Sequence, residues 1–258
     1  MNGFILFFKK EMTELVKTAK GIVCAAVFLI AAVISPVITK LTPEIIKMAD
    51  LGEEFDVVMS IIPEPDSAAS YSQYFENFNI LGLLAVIIVF AGIVSNEKSK
   101  NTAAYILTKN ISRTQFIISK FAASVVFVFF SFVLSMGTQI LYTNALFSDG
   151  LIKLSDTASF SALLFLYLVF ILSLTLFSSV ISKNVTSATF SAFLIFIIFN
   201  FLSSVPKIGV YMPPKINNIG VLTGNININE LTGNIVITIL CSIVFLILSL
   251  ILFKRQEL

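Results

Sequence analysis

Six long runs of apolar residues, separated by short polar segments, make up most of the chain. They cover about 21–38, 78–94, 121–142, 159–181, 187–205 and 234–253 of its 258 residues. A helix that crosses a bilayer needs about 20 mostly apolar residues, with a rise of about 1.5 Å for each. The pattern therefore predicts an all-α integral membrane protein, residues 1–258 forming a single transmembrane domain of six spans.

The fourth and fifth runs need an argument of their own, because Lys183 is the only charged residue between them. One helix over 159–205 would contain 47 residues. Its length would be about 70 Å, whereas the hydrocarbon core of a bilayer is about 30 Å thick. We therefore expect the chain to turn back near 182–184 and to cross the membrane twice.

The amino-acid composition agrees with a membrane protein and argues against several functions for it. Charged residues are 12% of the chain, against about 25% in soluble domains. The sequence has no histidine, no Asp, Glu, Lys or Arg inside the six runs and no Gly-Lys pair of the kind a P-loop needs. We expect no catalytic site, metal site or cofactor in this chain, and the net charge of +2 gives no reason to expect a nucleic-acid partner. Spans without these residues also argue against an ion-coupled secondary transporter.

The distribution of charge predicts the orientation. Twelve of the 17 Lys and Arg residues fall on the side that holds both termini, and 11 of the 15 acidic residues fall on the other side. Loops rich in Lys and Arg stay in the cytoplasm. The sequence therefore predicts a multi-pass protein of the cell membrane, with both termini cytoplasmic.

Two shorter helices are predicted outside the spans. Residues 2–20 place Lys10 and Lys17 opposite a recurring apolar face, which favours an amphipathic helix lying in the membrane interface. A plain extension of the first span is the alternative. On the other side of the membrane, Thr42 as N-cap followed by Pro43 predicts the start of a separate external helix.

The loop between the second and third runs, "NEKSKNTAAYILTKNISRTQFIISKF" at 96–121, carries the most specific pattern. "NTAAYILT" predicts a short helix ending near Asn110. Ser112 and Gln115 have the spacing of a capping box, and Ile111 and Phe116 that of a hydrophobic staple, so the third helix should begin at Ser112. The loop is either a docking platform or an ordinary solvated basic loop.

Four stretches carry a further pattern: "TPEI", "PEPDSAASYSQYFENFNILG", "GIVSNE" and "LTKNISRTQFIISKF". Together they resemble the permease subunits of ABC-2-type exporters. Asn101 and Asn110 stand where that family tends to have glycine and proline. The residues that match the family pattern after the second span are Glu97, Thr102, Leu107, Ser112, Arg113 and Lys120.

The resemblance implies a permease of an ATP-driven exporter, paired with a second copy as a homodimer or heterodimer. Separate ATP-binding subunits, which hold ATP and Mg, would dock on the loop 96–120, where Glu97 and Arg113 would hold the loop together. The path would run between the second and fifth spans, near Phe90 and Asn200. The residues themselves leave open a membrane anchor or immunity-type protein, which binds a peptide or partner without transport.

Overall fold

Apolar helices dominate the computed structural model, which describes residues 3–48, 65–108, 111–148, 154–217, 220 and 228–256. No strand occurs among these residues. Six helices are long and apolar enough to cross a membrane, which confirms the six predicted spans and the all-α class. In order, they are Ala19–Met48, Ser67–Ser99, Arg113–Leu146, Ser155–Ile181, Val185–Ser203 and Asn229–Arg255.

Two further helices lie outside the spans. An N-terminal helix, Gly3–Lys17, is followed by a bend at Thr18 before the first span. A short helix, Thr102–Leu107, connects the second and third spans. We call the end of the bundle that carries both termini the terminal end, and the other end the distal end.

The prediction of a separate external helix beginning at Thr42 is wrong, because the first span continues through this position. Ala19–Met48 is one continuous helix that contains both Pro36 and Pro43. Proline removes one backbone hydrogen bond but leaves its neighbours free to satisfy the backbone in other ways. Here Thr42 Oγ1 donates to the carbonyl of Ile38 at 2.8 Å, so its side chain bonds backwards into the helix and does not cap a new one.

The second span begins eleven residues before the apolar run, with Asp66 accepting a hydrogen bond from the Ala69 amide as its N-cap. A π-helical turn, Phe78–Gly82, interrupts it. At Gly82 a Cβ would lie 3.1 Å from the ring of Phe78. The glycine therefore leaves room for the Phe78 ring to pack inside the bundle, where it is fully buried.

The predicted reversal between the fourth and fifth spans is confirmed. The fourth span ends at Ile181, and the fifth begins at Val185 with Asn184 as its N-cap. The Asn184 side chain accepts a hydrogen bond from the Ser187 amide at 2.8 Å.

Burial is uneven among the spans. The second and fourth spans each have 67% of their most apolar window buried, whereas the fifth and sixth have 11% and 17%. Aromatic contacts hold the centre together, with Phe28 and Phe132 both packed against Phe78. The second and fourth spans therefore form the core of this single chain, and the last two lie at its edge.

Candidate functional site

The short helix begins with a sharp turn of the backbone. Asn101 has φ +56°, in the left-handed region that favours glycine and tolerates asparagine. Asparagine at the position where the resembling family has glycine is therefore compatible with the turn. Thr102 Oγ1 then donates to the carbonyl of Glu97 at 3.2 Å, which ties the short helix back to the end of the second span.

The short helix has a buried side and an exposed side. Ala103 is buried, and Leu107 packs, half-buried, against an apolar cluster at the terminal end. Tyr105 points the other way and is 64% exposed. Asn110, where the sequence predicted the helix to end, lies outside the described residues, and the helix itself ends at Leu107.

The third span begins as predicted. Ser112 accepts a hydrogen bond from the Gln115 amide, and the Gln115 side chain accepts one from the Ser112 amide, which completes the capping box. The ring of Phe116, one residue later, stacks between the rings of Phe7 and Phe253, with centroid distances of 5.4 and 5.1 Å. This column joins the N-terminal helix, the third span and the sixth span.

A buried ion cluster lies beside the column. Lys120 Nζ is 2.9 Å from Glu11 Oε2 and 2.9 Å from Glu97 Oε1, and the Lys120 side chain is only 2% exposed. Lys10 extends the cluster toward the surface, 2.8 Å from both Glu11 and Glu14 and 3.4 Å from Glu97. The N-terminal helix, the second span and the third span therefore meet at one set of charges. We call Lys10, Glu11, Glu14, Glu97 and Lys120 the ion cluster.

The charges in the cluster nearly balance, with two ammonium groups for three carboxylates. Burial opposes the charged form of Lys10. The hydrogen bonds of Lys10 to Glu11 and Glu14 and the negative charges of Glu11 and Glu97 outweigh this effect and raise the pKa of Lys10 above its usual range. Burial also acts against the charged form of Glu14, and its bond to Lys10 nevertheless lowers the pKa of that carboxyl. Glu11, Glu14 and Glu97 are close enough together to surround a cation, but the two lysine ammonium groups already lie against their oxygens.

Arg113 binds the end of the sixth span. Its guanidinium donates to the carbonyls of Phe253, Lys254 and Gln256 at 3.2, 2.8 and 2.6 Å. These are among the last carbonyls of the sixth span, which lack partners within the helix and carry its negative dipole. Arg113 therefore fastens the end of the sixth span to the beginning of the third.

The end of the fourth span joins the same assembly. The Val180 carbonyl accepts hydrogen bonds from Lys98 Nζ at 2.6 Å and from Gln256 Nε2 at 2.9 Å. Ser179 Oγ accepts bonds from the Val94 and Ser95 amides at 2.9 and 3.0 Å. All six matched residues of the family pattern thus lie at the terminal end. Thr102 and Leu107 belong to the short helix and Glu97 and Lys120 to the ion cluster, whereas Ser112 caps the third span and Arg113 binds the end of the sixth.

A separate cavity of about 230 Å³ lies toward the distal end, between the second, fourth and fifth spans. Asn200 lines it, together with Asn79 of the π-helical turn and Tyr167 of the fourth span. Asn79 Oδ1 also accepts a bond from Asn217 at 3.1 Å, which ties the second span to the segment after the fifth. Phe90 lies elsewhere, buried next to the ion cluster.

The sequence alone did not indicate the roles of four residues: Lys10, Glu11, Glu14 and Tyr105. A signal for Glu11 was available, since it is a carboxylate within a helix whose neighbouring positions Phe7, Phe8 and Leu15 are apolar. A charge within such a stripe needs a partner of opposite sign if the stripe is buried. The sequence does not show which lysine is this partner, because Lys120 is 109 residues away along the chain.

Comparison with known proteins agrees with this architecture. Residues 5–220 match the family described as "ABC-2 family transporter protein". The chain is also similar to a protein of Bacillus subtilis (strain 168) named "Uncharacterized transmembrane protein YxlG". The two are 27% identical over 188 residues, which cover 73% of this chain and 71% of the relative.

Proposed function

The chain belongs to the ABC-2 family of transporter proteins, and on that premise we propose that it is the transmembrane permease subunit of an ATP-driven exporter. Two permease copies form the translocation path, and ATP and Mg are bound by separate subunits. The excess of Lys and Arg at the terminal end supports an orientation with both termini in the cytoplasm and a location in the cell membrane. The ATP-binding subunits then approach the terminal end.

The observation that carries this proposal is the short helix held on a rigid base. Its outer side offers Tyr105, and interface hot spots are rich in such exposed aromatic side chains. Its inner side is bound through Thr102, Ala103 and Leu107 to the second span and the apolar cluster. An ordinary solvated loop would not need a buried ion cluster and a capped helix beneath it, so this arrangement favours a docking platform.

The second span offers a route from the platform to the distal cavity. Glu97, in the ion cluster, and Asn79, in the cavity wall, lie 18 residues apart in the second span. At about 1.5 Å per residue, this is a distance of about 27 Å. A push on the short helix can therefore move the wall of the cavity, if the second span shifts as one body.

The fifth span supports a second permease copy. Only 11% of its apolar window is buried within the chain, and large side chains such as Phe190 and Phe201 are more than two-thirds exposed. The same span carries Asn200 into the cavity, so a path between two copies would include this cavity. The mostly apolar interior favours an amphipathic or hydrophobic cargo.

The first test is to purify the tagged chain from its native membranes in mild detergent and to identify the chains that co-purify. We expect a stoichiometric partner with a P-loop. If no such chain is found with nucleotide present and after gentle crosslinking, the exporter proposal is overturned, and an anchor or immunity-type protein becomes the better explanation.

The second test asks whether the platform binds that partner. Tyr105→Ala and Leu107→Asp should reduce its co-purification and the ATP hydrolysis that depends on the permease, while insertion is unchanged. Tyr142→Ala is the matched control, since Tyr142 is also exposed but lies near the distal end of the third span. Equal recovery of the ATPase with Tyr105→Ala and Tyr142→Ala would contradict the docking role.

A further inference from the structure

A long groove lies between the third and fourth spans, away from both sites described above. Its volume is about 530 Å³. Apolar cavities of about 150 Å³ are already large enough to bind benzene. The groove therefore has room for a considerably larger apolar molecule. It is lined by Phe129, Phe132, Val133, Met136, Gly137, Ile140, Thr157, Ala158, Ser161, Ala162 and Phe165.

The groove lies in the distal half of the membrane. On the third span it extends from Phe129 to Ile140, and this span starts at the terminal end with Arg113. On the fourth span it extends from Thr157 to Phe165, near the distal beginning of that helix. Eleven residues of helix span about 16 Å, which matches one leaflet of a hydrocarbon core about 30 Å thick.

The lining is suited to hydrocarbon and to little else. It contains no charged residue and two hydroxyls, and Ser161 Oγ already donates to the carbonyl of Thr157 at 2.7 Å. At Gly137 a Cβ would meet no atom within 4 Å, so the missing side chain adds open space in the wall. Phe129 and Val133 are exposed at the rim, so the groove opens on the side of the bundle that faces lipid.

We propose that this groove binds one acyl chain of a lipid in the distal leaflet. An unfilled groove would forfeit dispersion contacts along its whole length, and water would find almost no hydrogen-bond partners in it. A polypeptide segment that is not helical would bring backbone amides and carbonyls that these walls cannot satisfy. A flexible, unbranched hydrocarbon chain would make the dispersion contacts along the groove and brings no polar group. The leaflet in which such a chain lies is about as thick as the groove is long.

The test uses the absence of tryptophan from the chain. Phe132→Trp places a single fluorophore on the inner wall, because Phe132 lines the groove and is only 4% exposed. The variant is reconstituted into vesicles of phosphatidylcholine with brominated acyl chains, since bromine quenches tryptophan at short range. We expect the reporter to lose most of its emission there compared with vesicles of the unbrominated lipid.

A blocked groove provides the decisive comparison. Adding Gly137→Phe to the reporter should restore most of its emission, whereas adding Ala145→Phe, an exposed position of the same helix outside the groove, should not. A second reporter, Phe170→Trp, lies in the fully buried core. Its quenching by brominated lipid gives the reference value for a tryptophan that no acyl chain reaches. If Phe132→Trp is quenched no more than Phe170→Trp, or if Gly137→Phe does not protect it, the groove is closed or filled by something else and the proposal is overturned.

Discussion

The two ends of the bundle are held together by different chemistry. At the terminal end, helices meet through charges: Lys120 between Glu11 and Glu97, and Arg113 on the carbonyls of the sixth span. Toward the distal end, buried contacts join neutral groups, such as the Tyr74 and Ser135 hydroxyls 2.9 Å apart, and the Lys40 ammonium donates to the Leu146 carbonyl at the exposed edge. Every ion pair found in the described part of the chain lies at the terminal end.

This difference follows from the surroundings of each end. A charge at the centre of a bilayer costs about 2.5–3.5 kcal/mol on insertion scales, whereas hydroxyls and amides can be satisfied by neighbouring helices. Ion pairs are therefore placed where the helices leave the hydrocarbon, and they join helices firmly only if every charge keeps its partner. The terminal end should consequently be sensitive to single substitutions, and the distal end tolerant of them.

The largest effect is expected from Lys120→Met. It leaves the carboxylates of Glu11 and Glu97 buried with only Lys10 nearby, and removing one partner of a buried ion pair costs about 3–5 kcal/mol. The free energy of unfolding in detergent measures the loss. Lys10→Met is the matched control: Lys10 is 44% exposed, so its loss should cost less than about 1 kcal/mol.

The triple variant Glu11→Gln/Glu97→Gln/Lys120→Met tests whether the loss of stability comes from the unpaired carboxylates. It removes the stranded charges together with their partner, so it should recover a large part of the lost stability. If Lys120→Met costs no more than Lys10→Met, the cluster does not join the three helices as proposed.

A smaller loss is expected from Arg113→Glu. Hydrogen bonds to a charged group contribute about 1.5–3 kcal/mol, and a carboxylate would also be repelled by the negative end of the sixth span. We expect a loss of about 2 kcal/mol in unfolding free energy and weaker stimulation of the partner ATPase.

Arg255→Glu is the control for Arg113→Glu. It makes the same change of charge at the end of the sixth span that Arg113 binds, but at an exposed position in the last turn of that span. Its effect should be limited to the dipole contribution of about 0.3–1 kcal/mol. Equal losses for both variants would show that the three hydrogen bonds of Arg113 add nothing to the charge.

At the distal end, Gln139→Leu should have a modest effect. Gln139 Nε2 donates to Ser70 and Thr143 at 3.1–3.2 Å, but bonds of this kind between membrane helices average only about 0.6 kcal/mol. The leucine also removes the buried Oε1, which accepts no hydrogen bond within the described residues. A loss of more than about 2 kcal/mol would contradict the tolerance expected of neutral contacts, which reach at most about 1.7 kcal/mol.

The smallest effect on stability is expected from Asn200→Leu. Asn200 Nδ2 bonds a carbonyl of its own helix, so the loss should be below about 0.6 kcal/mol. The cavity wall becomes more apolar, and we expect the profile of exported molecules to change while the partner ATPase still binds. Unchanged export at equal expression would exclude Asn200 from the path.

Local features were readable from the sequence because their partners are near in the chain. The capping box of Ser112 and Gln115, the turn at Asn184 and the six apolar runs each depend on neighbours within a few residues or on periodicity. The external helix at Thr42 was predicted wrongly for a related reason. The Thr-Pro pattern that begins a helix is equally compatible with a proline inside one when a threonine bonds backwards.

By itself, then, the sequence determined an all-α protein of six spans, the start of the third helix and the charged side of the membrane domain. Only the tertiary structure decided that Lys120 pairs with Glu11, that Arg113 caps the sixth span and that Asn200, but not Phe90, lines the distal cavity. The physical reason is the range of the interactions. Hydrophobicity and capping act over a few residues, whereas ion pairs and long-range hydrogen bonds join positions up to 143 residues apart, which only the packing of helices brings together.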